Sequence, residues 1–199
     1  MEKRSIRNYF IEASLIIFSV LFALFINKLA ENAKTNTRKK VAIESIKKEL
    51  YRNSDIIDHW IKKHVDMRDK LNAILEGRND SLKNAFHDYP YLNIDLLTNG
   101  TGIMDAFLTN TAWETAQSTQ ILSEFDFQLI QQLTYTYSMQ ETITEHTMLN
   151  IINFYYSTES HQMENLDTTL MQLLLRFWEL TAQEELLKQF YQEALKQLE

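Results

Sequence analysis

Five histidines, at positions 59, 64, 87, 146 and 161, are the side chains best suited to proton transfer or metal binding near neutral pH. None has a Glu three residues before it, so the Glu-x-x-His ligand pattern of di-iron helical bundles is absent. His59 and His64 are five apart and fall on different faces of a helix, while Asp55 and His59 stand at i,i+4 and can pair as surface charges. The chain has no Cys, which removes disulfides, thiolate nucleophiles and thiolate metal ligands. Its three glycines are scattered, so no glycine-rich loop can cradle a phosphate, and no Walker A, G-x-G-x-x-G or G-x-S-x-G pattern occurs. No nucleophile–base pair or metal set can be named. Neither an enzyme nor a bound cofactor is expected.

What remains points to interaction. Glu12 is a carboxylate in the first turn of an apolar run, where a partner's basic or polar group or the helix N-terminus can compensate it. Ser19 and Ala23 form a small-xxx-small pair that permits close helix approach, and Asn27 stands where the run ends. These four are the candidate membrane-interaction residues. Trp113 and Glu114, in TAWETAQSTQ, with Tyr135 and Tyr137 on a tyrosine-containing helix, form the candidate partner or ligand surface. Asn53 and His64 are polar residues inside an apolar seam, where the first can specify register and the second can bond a neighbour or act as a pH-sensitive packing element.

The element that places all of these is the stretch 10–26, FIEASLIIFSVLFALFI, which carries one charge and no Gly or Pro. As a helix it spans roughly 25 Å, slightly under the ~30 Å hydrocarbon core, and Tyr9 and Lys28 can reach the headgroups. A cleaved signal peptide would need a better small-residue site than NKLAENAK offers, and an interfacial helix would need a polar face. The expected organisation is a short basic tail at 1–9, a transmembrane anchor at 10–29, and a helical bundle domain at 30–199 with an irregular connection at about 78–104.

Only 3 Gly and 1 Pro occur in 199 residues, so long helices and few tight turns are expected. A helix over 36–75 carries Ile43, Ile46, Leu50, Ile57, Trp60, Met67, Leu71 and Ile74, and with Asn53 and His64 the spacing alternates 3-4 without a break. Nothing before it breaks a helix, so anchor and stalk can be continuous, with Gly77 as the terminator. A short helix around 81–87 should precede an extended DYPYLNIDLL. Thr111…Glu114 and Ser123…Asp126 fit capping boxes, predicting a helix to about 122 and a long one over 124–157. After a polar loop at 158–165, Asp167 can cap a last helix whose seam runs Leu170, Leu173, Phe177, Leu180, Leu187, Tyr191, Ala194 and Leu198, interrupted by Glu184. The fold class expected is all-α, an N-terminal transmembrane helix continuing into a long helix and then an antiparallel bundle.

Charge is divided along the chain. Residues 1–52 carry 11 Lys/Arg against 5 Asp/Glu, a net of +6, and residues 53–199 carry 9 against 22, a net of −13. From residue 84 to 175 there is no Lys or Arg. The basic end suits anionic lipid, and the acidic body argues against nucleic acid. Three Lys/Arg precede the anchor and six follow it closely, which tips the expectation to a cytoplasmic C-terminal domain, although a short basic tail also suits the opposite orientation.

Glu12, the apolar run, Ile26-Asn27 and Glu31-Asn32 together resemble the bacterial single-pass membrane proteins of the domain-of-unknown-function family numbered 6090, in which a Gly-Glu enters the span and Ile-Asn-Asn-Trp-Asn-Glu ends it. TAWETAQSTQIL is similar to members of that family too. Here Ala13 follows the Glu, no Gly precedes it, and Lys28-Leu29 replaces Asn-Trp. The resemblance, mainly over residues 10–50, implies a bacterial inner-membrane location and no assigned activity. The function expected is a membrane-anchored interaction or structural protein that presents an acidic bundle to a protein partner or a second copy. The alternative is a sensory bundle holding a small ligand near Trp113.

Overall fold

Across residues 10–75 the chain offers no Gly or Pro, and it forms one helix, α1 (Ile6–Leu75), 70 residues and about 105 Å long. The computed structural model describes residues 6–198. Residues 1–5 of the expected tail lie outside them, and residues 6–9 are already the first turn of α1. Anchor and stalk are therefore continuous. Leu75 is followed by a Schellman stop: Gly77 takes φ +69°, its N–H donates to Ile74 O (3.1 Å), and Arg78 N–H donates to Ala73 O (2.8 Å).

The chain then turns into α2 (Asp80–Phe86), where the Asn79 side chain accepts from Leu82 N–H at 3.1 Å. The DYPYLNIDLL stretch is not extended throughout as expected. It winds into α3 (Asp95–Thr98), because Leu92, Ile94 and Leu97 all reach the core and the Asn93 side chain caps Asp95 N–H. Asn99, Gly100 and Gly102, all at positive φ, lead into a loop that reaches α4 (Thr111–Ser118).

Two capping boxes are misplaced by sequence reading. Thr111 is already helical and Asn110 holds the N-cap position, its Nδ2 donating to Glu114 Oε1 at 2.9 Å. After a 3-10 turn (Ile121–Glu124), α5 (Phe127–Glu141) starts three residues later than expected. Its cap is Asp126, which accepts from Gln128 N–H at 2.9 Å, and Ser123 takes no capping role. A carboxylate one residue before the helix meets the amides better than a serine four residues earlier. The expected helix over 124–157 is further divided by a π-helical segment (Thr142–Thr147), closed by Met148 N–H to Ile143 O, before α6 (Met148–Tyr155). The final helix, α7 (Leu166–Gln197), follows two single 3-10 turns. Asp167 does not cap it but lies in its first turn, with its carboxylate 2.6 Å from Lys83 Nζ.

The core is the meeting of the two seams. Ile46, Leu50, Ile57, Trp60, Met67 and Leu71 of α1 and Leu170, Leu173, Phe177, Leu180, Leu187 and Tyr191 of α7 are fully buried. At roughly 1.5–3 kcal/mol for each large apolar side chain, these positions dominate the driving force for folding. Ile43 is only half-buried, so the core begins one turn later than the seam. Asp58 pairs with Lys188, His64 with Glu184, and Arg68 stacks on Trp178, so the order of partners reverses along α7. Leu129, Leu133, Ile143, Met148 and Ile151 lay a third helical line against this pair. Among the described residues every regular element is helical, and one stretch, near the N-terminus, is long and apolar enough to cross a membrane. None of that stretch is buried against the rest of the chain.

Candidate functional site

Two of the sequence candidates come together. Trp113 of α4 and Tyr137 of α5 stack face to face, ring centroids 5.3 Å apart and nearly parallel at 6°. The residue that fixes them is Glu49 of α1, which sequence reading did not single out. Its carboxylate accepts from Tyr137 Oη at 2.8 Å, from Ala112 N–H at 3.0 Å and from Trp113 N–H at 3.4 Å. It thus caps α4 from a different helix, with its negative charge at the positive end of the helix dipole. Burial and the adjacent Glu49 carboxylate push the Tyr137 hydroxyl far above its ordinary range, so it stays a donor.

Behind this stack lies a buried polar network. Asn53 clasps the backbone of Thr109, accepting from its N–H at 3.1 Å and donating to its carbonyl at 2.6 Å. Gln140 accepts from Tyr191 Oη (2.7 Å) and from Asn53 Nδ2 (3.1 Å), while its own amide donates to Thr109 O (3.2 Å). Every hydrogen-bonding group is matched, as a buried network requires. Asn53 therefore does more than set a register: it pins a loop.

His64 does the same about three turns further along α1. Its Nε2 faces Ile103 O at 3.1 Å and its Nδ1 faces Glu184 Oε1 at 2.7 Å, with both side chains fully buried. A carbonyl accepts only, so Nε2 carries a proton, and one further proton sits between Nδ1 and Oε1. Burial raises the Glu184 carboxyl and His64 only partly offsets this; Oε2 has no partner. The dry site disfavours the charged carboxylate. At the surface, Asp105 receives His59 (2.8 Å) and Lys63 (3.0 Å), and Lys70 donates to Leu97 O (3.0 Å). Burial alone would raise the Asp105 carboxyl, but hydrogen bonds from His59 and Lys63 outweigh it and hold it below the usual range. The whole irregular stretch 97–109 is strapped to α1.

The strapped loop, α4 and the π-helical segment enclose a cleft of ≈780 Å³. Trp113 and Tyr137 form part of its wall; Glu114, Glu141 and Glu145 line it with His146, and Phe107, 73% exposed, stands at its side. No Lys or Arg lines it. The π-helical segment supplies Thr144, Glu145 and His146, the kind of local widening that recurs at functional sites. Tyr135 is not part of the cleft: it is exposed on another face of α5, where Gln131 donates to its hydroxyl. Glu12, Ser19, Ala23 and Asn27 all lie exposed along the N-terminal part of α1, and the Ser19 hydroxyl donates back to Leu15 O at 2.7 Å. Compared with protein-family models, with curated proteins and with solved structures, the chain matches none.

Proposed function

We propose that this chain is a membrane-anchored, antiparallel helical bundle that receives a basic segment of a protein partner in the Trp113–Tyr137 cleft. One observation carries the reading: the cleft is lined by Glu114, Glu141 and Glu145 and by no Lys or Arg. Three carboxylates select a positively charged guest over a neutral one, and Phe107, exposed beside the cleft, offers the open ring face that attracts a cation. The cleft's ≈780 Å³ also lies in the range of small-molecule sites, which favours a small organic cation as the alternative guest.

The exposed apolar stretch of α1 supports a single-pass anchor in a bilayer, with Glu12, Ser19, Ala23 and Asn27 as its membrane-facing or self-associating positions. Six Lys/Arg after the span against three before it favour a cytoplasmic bundle. The resemblance to the 6090 family adds a bacterial inner membrane to this picture and no mechanism.

The test is a photocrosslinking amino acid at Gln117, inside the cleft, in the full-length chain in its membrane, with Lys62 on another face as control. A protein captured from position 117 alone, and lost when Glu114, Glu141 and Glu145 become Gln, supports the partner reading. A cleft that resists labelling and captures no protein supports the small cation. Equal capture from both positions overturns both.

A further inference from the structure

A second opening lies on the membrane-proximal side of the bundle, between α1 and the α4 wall, and nothing in the acidic cleft uses it. It is a groove of ≈690 Å³ running beside α1 from Thr37 to Arg52. That is about 23 Å of helix, the reach of a long acyl chain. Its floor is apolar: Val41, Ala42, Ala112, Ala116 and Ile121. Val41 is 61% exposed, an apolar side chain left without cover. Arg38, Lys48 and Arg52 edge the groove. Among the described residues neither Lys48 nor Arg52 has a carboxylate partner, and Arg38 reaches across the groove to Thr119 O at 3.2 Å. The one acid in the lining, Glu49, is already taken up by the Ala112 and Trp113 amides and the Tyr137 hydroxyl.

We infer that this groove binds a single-chain anionic amphiphile, a long-chain carboxylate, with its chain along the Val41–Ala116 floor and its headgroup on the arginine and lysine edge. Charge complementarity chooses the sign: apolar groove, cationic rim, in a chain whose body is otherwise acidic. Position chooses one chain over two. Arg38 lies nine residues beyond Leu29, roughly 13 Å along α1, which exceeds the ~5–8 Å headgroup layer on one side of a bilayer. A diacyl lipid would have to leave the membrane to fill the groove, whereas a single-chain carboxylate reaches it through water. This last step rests on the membrane anchoring proposed above.

The experiment uses the full-length chain in phosphatidylcholine nanodiscs, with palmitate bearing a photoactivatable group on its chain as probe. The expected result is saturable labelling of peptides from residues 37–52 and 109–121, displaced by unlabelled palmitate and not by hexadecanol. Replacing Arg38, Lys48 and Arg52 together by Gln should cut that labelling at least tenfold, and Val41→Glu, at an exposed position that leaves folding intact, should do the same. Unchanged helicity by circular dichroism establishes that each variant is folded. Labelling confined to residues 10–29, labelling indifferent to the three charges, or stronger labelling by a photoactivatable phosphatidylglycerol overturns the inference. Release of the chain from membranes by alkaline carbonate would instead sink the anchor, and groove labelling by palmitate would survive it.

Discussion

At the His64–Glu184 contact a polar residue of one seam meets a polar residue of the other. Both residues are visible in the sequence as polar positions in their seams. Their pairing is not, because it joins residues 120 apart and depends on the register between α1 and α7. The buried Glu184 carboxyl makes a specific prediction. In Glu184→Gln the new amide donates to Nδ1 and both imidazole contacts persist, so the loss of stability should stay under about 1 kcal/mol. Glu184→Leu leaves Nδ1 buried without a partner and should cost about 1–3 kcal/mol. The pH dependence follows from the raised Glu184 carboxyl. From its unfolded value near ~4.3 up to the higher folded value, the folded state binds more protons than the unfolded state, so this group's contribution falls as pH rises through that window. Glu184→Gln removes the decline, and thermal melts across that pH range should be flatter for the variant than for the natural protein. A steeper fall in the variant would mean that the carboxylate is the folded form.

At the scale of elements, the long helices follow from the sequence and their ends follow less well. Apolar spacing and missing breakers suffice for α1 and α7, and Gly77 stops α1 where its freedom to take positive φ allows. The caps fail as sequence signals because hydroxyl-and-acid patterns are frequent, and the acceptor that counts can come from elsewhere. Glu49 caps α4 across space, and no local pattern around Thr111 reveals that. The π-helical segment, which lies between α5 and α6 and packs against α7, likewise has no marker in TITEHT. Glu49→Ala frees two amides and one tyrosine hydroxyl at once, and should destabilise the fold by about 2–3 kcal/mol. Near-ultraviolet circular dichroism should report it through the Trp113–Tyr137 stack. If that signal and the melting midpoint are both unchanged, the carboxylate is not what positions α4 and the acidic cleft loses its rigid wall.

For the whole molecule, the division into an exposed apolar helix and a packed helical body was legible from composition, since one stretch is apolar on all sides and the others only along seams. What composition hides is how the irregular stretch 97–109 is held, because its anchors are polar side chains of α1 (Asn53, Lys63, His64, Lys70) reaching backbone atoms. The apolar stretch is not buried against the body, and the core begins only at Ile46. A fragment beginning at Thr35 keeps every core contact and the Arg38–Thr119 bond. It should be soluble, highly helical and cooperative in melting; an aggregated or molten product would show that the body needs its apolar helix.

The same arrangement decides what the α1 seam is for. It could have served a second copy of the chain, but Leu50 is fully buried within one molecule, on the face of α1 that packs the intramolecular core with α7. Leu50→Asp removes one large apolar side chain, at about 2–5 kcal/mol, and places a carboxylate in the hydrophobic core. Together these approach the ~5–15 kcal/mol that holds a typical domain folded, so the variant should unfold outright. Circular dichroism and size-exclusion measurements on the Thr35 fragment distinguish the outcomes. Loss of the cooperative melt is expected. A variant that keeps its helicity and melts cooperatively, while a dimer becomes a monomer, would mean that the seam joins two copies and that α1 and α7 of one chain are not each other's partners.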